Sequence, residues 1–111
     1  MKLITWCGDS IERVREFPEE ARRKSGHQLN RVRHGREPED WKPMTSVGAG
    51  VRELRVHVEG EYRVLYVAKF AEAVYVLHAF AKKTRKTSKQ DLDLAATRFR
   101  AVMEERRRQR R

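Results

Sequence analysis

The chain has 111 residues, 39% apolar and 38% charged, with a formal net charge of +10 and a pI near 10.4. That length makes one domain with a single core and little to spare, and the surplus of cations points to an anionic partner such as nucleic acid, a membrane surface or an acidic protein. A lone cysteine, Cys7, excludes an internal disulfide and a cysteine-based metal framework and reads as a buried structural thiol. With no basic-apolar leader and no run of membrane-spanning length, the sequence predicts a cytoplasmic protein with no membrane partner.

Leu3 to Trp6 reads as a short strand. Asp9 or Ser10 is placed to cap a first helix carrying Ile11, Val14 and Phe17 at helical spacing. Pro18 stops it and opens a second helix that runs to about His34, where Gly35 ends it. Ala21, Ser25, Leu29 and Val32 form the inner stripe of that helix, and Arg22, Arg23, Lys24, Arg31 and Arg33 read as a solvated face. Residues 36–50, broken by Pro38, Pro43, Gly48 and Gly50, read as a connecting segment in which Trp41 packs over an edge of the core. Three strands follow, over 51–58, 62–68 and 73–80, with a turn at Glu59-Gly60-Glu61 and a connection at Lys69 to Glu72. Ser88 to Asp91 fits a capping box for a last helix, whose apolar stripe is Leu92, Ala95, Ala96, Phe99, Val102 and Met103. Arg106 to Arg111 is either a frayed extension of that helix or a basic arm. The expected fold is therefore α+β: an N-terminal strand, a helical hairpin, a three-stranded antiparallel meander completing a mostly antiparallel sheet, and a C-terminal helix. It occupies residues 1–105 as one domain, with 106–111 as a basic tail.

The charge is unevenly spread. Ala81 to Arg111 holds 12 basic and 4 acidic residues, against 14 and 12 in the rest of the chain. Arg52, Arg55 and Arg63 lie inside the meander strands, and Lys82 and Lys83 stand where its third strand runs out. Together they make a basic surface on a rigid sheet, the kind of surface that grips phosphates. Arg85, Lys86 and Lys89 continue it, and with Arg52 and Tyr66 they are the expected RNA contacts.

Four pieces in order resemble a known family: Glu53-Leu54-Arg55, Tyr62-Arg63-Val64-Leu65-Tyr66, Leu77-His78-Ala79-Phe80 and Lys82-Lys83-Thr84. The set is similar to the RelE/HigB superfamily of toxins from bacterial toxin–antitoxin modules, in the phage-derived Gp49-like branch, and the resemblance covers nearly the whole chain. It implies a RelE/ParE-like fold and an endoribonuclease that uses no metal or other cofactor and cuts messenger RNA in the ribosomal A site. The implied partners are the ribosome, its messenger RNA and a cognate antitoxin of the helix-turn-helix DNA-binding type. Arg63 matches the family arginine that contacts the cleaved phosphate, and Lys82 and Lys83 match the basic pair around it. Where the best-known members carry lysines in the first meander strand, this chain has Arg52 and Arg55, and it has no tyrosine after Tyr75.

Cutting RNA in this way requires the 2′-hydroxyl to attack the neighbouring phosphate, so negative charge builds on phosphoryl oxygens. The planar fork of arginine suits those oxygens. On this reading Arg63 is the main clamp, with Arg55 and Lys83 beside it. The general acid and base stay open among His57, His78, a lysine and Tyr66, with His57 on the charged face of its strand. Two other functions fit the same composition. A ParE-like relative would inhibit DNA gyrase, and a non-catalytic nucleic-acid-binding domain would need only the charge.

Overall fold

The computed structural model describes residues 1–110, so Arg111 of the expected tail lies outside the described residues. It has a single five-stranded sheet in the order β1-β5-β4-β3-β2: β1 (Leu3–Trp6), β2 (Trp41–Pro43), β3 (Val51–His57), β4 (Glu61–Val67) and β5 (Ala73–Ala81). The helices are α1 (Ser10–Arg15), α2 (Glu19–Arg33) and α3 (Lys89–Gln109). β3, β4 and β5 form the expected antiparallel meander, and β1 joins β5 in parallel, pairing Leu3 with Ala73 and Trp6 with Val76. The architecture is the α+β one that the sequence predicts. The connecting segment adds a strand the sequence did not announce: Trp41 pairs with Leu54 and Pro43 with Arg52, so β2 closes the far edge with a proline and a lysine.

Local signals set the helix limits. α2 ends in a Schellman turn, in which Arg36 N donates to Arg31 O, Gly35 N donates to Val32 O, and Gly35 has φ +81°. Ser88 caps α3 by accepting from Asp91 N at 3.1 Å, and its hydroxyl donates to the Asp91 carboxylate at 2.7 Å. Asp9 stands at the N-cap position of α1 but makes no cap bond, because its carboxylate is taken by Arg13 and Arg98. Arg106 belongs to the last turns of α3, where it pairs with Glu72 at 2.6 Å and lies 3.6 Å over the Phe70 ring.

Both faces of the sheet are covered, so the apolar residues divide into two clusters where the sequence was expected to support one core. α1, α2 and the turn between them set Val14, Phe17, Leu29 and Val32 against Leu54, Val56, Val64, Tyr66 and Val76. α3 sets Ala95 and Val102 against Val51, Leu65, Val67, Leu77 and Phe80. A bulge makes the second cluster possible. Leu65 pairs with His78 and Tyr66 with Val76, which leaves Leu77 as the extra residue. The side-chain alternation therefore resets within β5. His78 and Phe80 face α3, while Val74 and Val76, of the same parity, face the other helices.

A hydrogen-bonded clasp fixes α3 to this sheet. Arg98 donates to Leu77 O at 3.0 Å and to Asp9 at 2.6 Å, and its guanidinium lies 3.4 Å from His78 Nδ1. Nε2 of His78 donates to Asp91 at 2.7 Å. Burial pushes the His78 pKa down, so the ring is neutral and serves as a donor–acceptor link. Arg13 and Arg98 hold Asp9 down to about 2. Cys7 is half-buried, and burial raises its thiol pKa, as expected of an unreactive packing residue.

Two glycines should respond in opposite directions to alanine. At Gly26, on the outer face of α2, a β-carbon meets nothing within 4 Å; at Gly48 it would lie 2.5 Å from the Phe99 ring. Gly26→Ala should raise stability by about 0.5–1 kcal/mol, and Gly48→Ala should lower it by about 1–3 kcal/mol. Urea denaturation of the two variants beside the parent protein measures both changes.

Candidate functional site

The candidate site is the end of the sheet where the β3–β4 turn and the C-terminus of β5 meet. The register places side chains in rows on the face that α3 shares. Lys42, Glu53, Leu65 and His78 form one row, and Arg55, Arg63 and Phe80 form the next. His57 pairs with Glu61 beyond them, and Lys82 N donates to Glu61 O at 2.7 Å, which brings the lysine pair to the same end. Thr87 reaches Glu53 at 3.5 Å and Asp91 reaches His78, so the loop before α3 and its first turn roof the Glu53–His78 row. Beyond it, Arg63 and Phe80 are buried, and Arg55 and His57 are the side chains that reach the surface.

Glu53 is the centre of this arrangement, with no exposed surface. Its Oε1 lies 3.5 Å from Arg55 Nε, 3.7 Å from Arg63 Nε and 3.8 Å from Lys42 Nζ. These are ion-pair distances but too long for hydrogen bonds, and Glu53 Oε1, Arg55 Nε and Arg63 Nε have no hydrogen-bond partner among the described residues. The carboxylate therefore holds the two guanidinium groups by charge without locking their N–H bonds. Arg63 is 4% exposed and also donates to Glu61 at 3.0 Å and to Tyr62 O at 3.1 Å. Arg55 is 31% exposed at its side chain.

His57 closes the network. It lies 2.6 Å from Asp40 and 2.8 Å from Glu61, with 47% of its side chain exposed. Its hydrogen bonds to Glu61 and then to Asp40 raise its pKa, and His57 and Arg63 together depress the pKa of Glu61. Both carboxylates favour the imidazolium over the neutral ring, which suits this side chain to giving up a proton more than to taking one.

The remaining sequence candidates scatter. Lys82, Lys83, Arg85 and Lys86 form no ion pair with any described residue, and all but the half-buried Lys82 are exposed. Lys89 is paired with Asp93 at 2.8 Å. Arg52 faces the opposite side of the sheet from Arg55, as period-2 alternation requires, and there it pairs with Glu37 at 3.0 Å and stacks 3.9 Å over Trp41. Tyr66 is fully buried on that side, and burial raises its phenol pKa, so it offers neither a ring face to a base nor an accessible hydroxyl. Sequence reasoning missed the acids that arrange the site: Glu53, Glu61 and Asp40. The signal was present, since Glu53 shares strand parity with Arg55 and His57.

At this end the molecule offers a cluster of cations held in place but not hydrogen-bond saturated, a histidine biased toward its protonated form, and a lysine-rich loop. That set can gather and polarise a phosphodiester. No helix of the described residues is long and apolar enough to cross a membrane. A family model described as phage-derived protein Gp49-like matches residues 12–100. No curated protein matches the chain.

The His57 network should leave a pH signature in stability. A pKa raised above its ordinary 6.5 means that the His57 contribution is complete below that pH and is lost as pH rises through the raised value. The contribution of Glu61, lowered from 4.5, is present above that pH and lost as pH falls through the lowered value. The stabilisation therefore peaks between the two and, for groups this exposed, amounts to less than about 1 kcal/mol. His57→Gln should cost more stability near pH 5.5 than at about pH 9, measured by urea midpoints.

Proposed function

Because this chain belongs to the phage-derived Gp49-like family, we propose that it is the toxin of a type II toxin–antitoxin module, a RelE/HigB-type endoribonuclease that cuts messenger RNA in the ribosomal A site without a metal. The observation that carries this reading is the set of cations around Glu53, next to the unpaired Lys82 and Lys83. Glu53 keeps Arg55 and Arg63 in place at ion-pair range. Arg55, whose side chain reaches the surface, can meet a phosphate oxygen directly, and the almost wholly buried Arg63 adds its charge from beneath.

In the reaction the 2′-hydroxyl gives up its proton to water as the 2′-oxygen bonds to phosphorus, and the bond to the 5′-oxygen breaks. This leaves a cyclic phosphate on one fragment and a hydroxyl on the other. Charge on the equatorial oxygens falls to Arg55 and Arg63, while Lys82, Lys83, Arg85 and Lys86 hold the flanking backbone. His57, biased toward its protonated form by Glu61 and Asp40, is the donor for the leaving 5′-oxygen. Positioning of the message by the ribosome supplies the rest of the barrier reduction, up to about 7–11 kcal/mol in favourable cases. A cognate antitoxin of the helix-turn-helix type, with an acidic segment complementary to the lysine loop, would silence the site.

Mapping the 5′ ends of cellular messages minutes after induction tests the proposal. The parent chain should produce new ends in codon register within translated regions, together with growth arrest. Arg63→Ala should lower cleavage by about 10²–10³-fold. Because that change also strips a counter-ion from Glu53, a Lys82→Ala, Lys83→Ala double variant, altered outside the core, should show the same direction of loss with an unchanged thermal transition. Arrest with intact messages would overturn the nuclease reading in favour of a gyrase poison, and no arrest would favour a passive binder.

A further inference from the structure

The structure redistributes the charge that the sequence concentrates at its C-terminus. In α3, Lys89, Arg98, Arg106, Arg107 and Arg108 each have a carboxylate partner. In α2 none of Arg22, Arg23, Lys24, Arg31 and Arg33 has one among the described residues. Arg31 donates only to the backbone carbonyl of Glu37, and Arg33 only to that of Lys2. Arg15 of α1 and Arg100 of α3, which donates only to Thr97, also lack a carboxylate among the described residues, so most of the unneutralised cations of the helices lie on α2, across the sheet from the site above.

The composition of this face selects its partner. Every apolar residue of α2 (Ala21, Leu29 and Val32) is buried in the core, so the outward face presents no anchor of the kind protein interfaces use. It also has no Phe, Tyr or Trp, the platforms on which single-stranded bases stack. At 100° per residue, Arg22 lies on one flank of the outward face and Lys24 and Arg31 on the other, with Arg23, Gly26, His27 and Asn30 between them and the acids Glu19 and Glu20 confined to the first turn. Gly26 is exposed and has no packing reason to be glycine, since a β-carbon there would meet nothing. A small residue between two rows of cations lets a backbone come close. At the C-terminal end of the helix, His27, Asn30, Arg31, His34 and Arg36 line a groove of about 390 Å³. Its imidazoles and amide can bond 2′-hydroxyls, which a DNA duplex lacks.

We propose that the outward face of α2 is a second RNA-binding surface, which grips the phosphate backbone of base-paired RNA through Arg22, Arg23, Lys24 and Arg31. Recognition is by shape and charge, not by sequence. The surface takes its partner class from the reading above, but it does not depend on the chain cutting RNA.

Binding of a labelled RNA hairpin, measured from low to high salt, tests this. In the full chain carrying Arg22→Ala, Arg23→Ala, Lys24→Ala and Arg31→Ala, the slope of log affinity against log salt should shrink by about one for each cation removed. Affinity near physiological salt should fall about tenfold or more, with the thermal transition retained. An Arg107→Ala, Arg108→Ala variant, which removes two cations already paired with Glu104 and Glu105, should keep most of its hairpin binding. An unchanged slope in the α2 variant would overturn the inference, as would an equal loss of hairpin binding in this α3 variant. Neither result would touch message cleavage, which is read separately by 5′-end mapping. Tighter binding to a DNA duplex of the same sequence, or equal binding to polyglutamate, would also overturn it.

Discussion

A carboxylate with no exposed surface sits under two arginines and a lysine, and the candidate site is arranged around that placement. Glu53 lies on the middle strand of one half of the sheet, with β2 on one side and β4 on the other. Burying such a charge is costly unless cations stand beside it, and here they stand at ion-pair range. The arrangement works in both directions. The acid makes it possible for Arg63 to be almost wholly buried, and the arginines make the acid tolerable. What results is a preorganised cluster of positive charge, of which Arg55 is the part that reaches solvent.

The same logic explains where the protein is neutral and where it is not. Acidic residues are set against particular cations: Asp9 against Arg98, Glu72 against Arg106, Asp40 and Glu61 against His57. Those pairs fix elements to one another, as the Asp9–Arg98–His78–Asp91 chain fixes α1, the β5 bulge and α3. Among the described residues, most of the cations left without a carboxylate stand in the loop after β5 and on α2. The surplus behind a net charge of +10 is thus concentrated there more than elsewhere.

Much of this was legible in the sequence, for identifiable reasons. The meander announced itself through β-branched runs and turn residues, α2 through its narrow apolar stripe, and α3 through a Ser–Asp cap that forms as expected. The failures share a cause, which is that one-dimensional periodicity has no way to show an interruption. A single extra residue at Leu77 turns His78 away from Val76, although both have the same parity. Arg52 and Arg55 look like one basic surface in a list of charges, but an odd separation in a strand puts them on opposite faces. β2 was hidden because three residues around a proline carry almost no strand signal, and its pairing comes from β3. The acids of the site were hidden because a buried glutamate looks like any solvated one until its neighbours across the sheet are known.

The parallel pairing of β1 with β5 has a consequence for how the molecule comes into being. Leu3 finds its partner at Ala73, and Asp9 finds Arg98 at a separation of 89 residues. β1 must wait, unpaired, until a strand that follows β2, β3 and β4 in the chain has been made. Such long closures slow folding and leave early segments without their partners. The lysine loop that follows β5 is also synthesised late. A nascent chain emerging residue by residue therefore lacks both the finished sheet and the finished site until β5 and the loop after it have been made, so whatever the site acts on meets it only after that point.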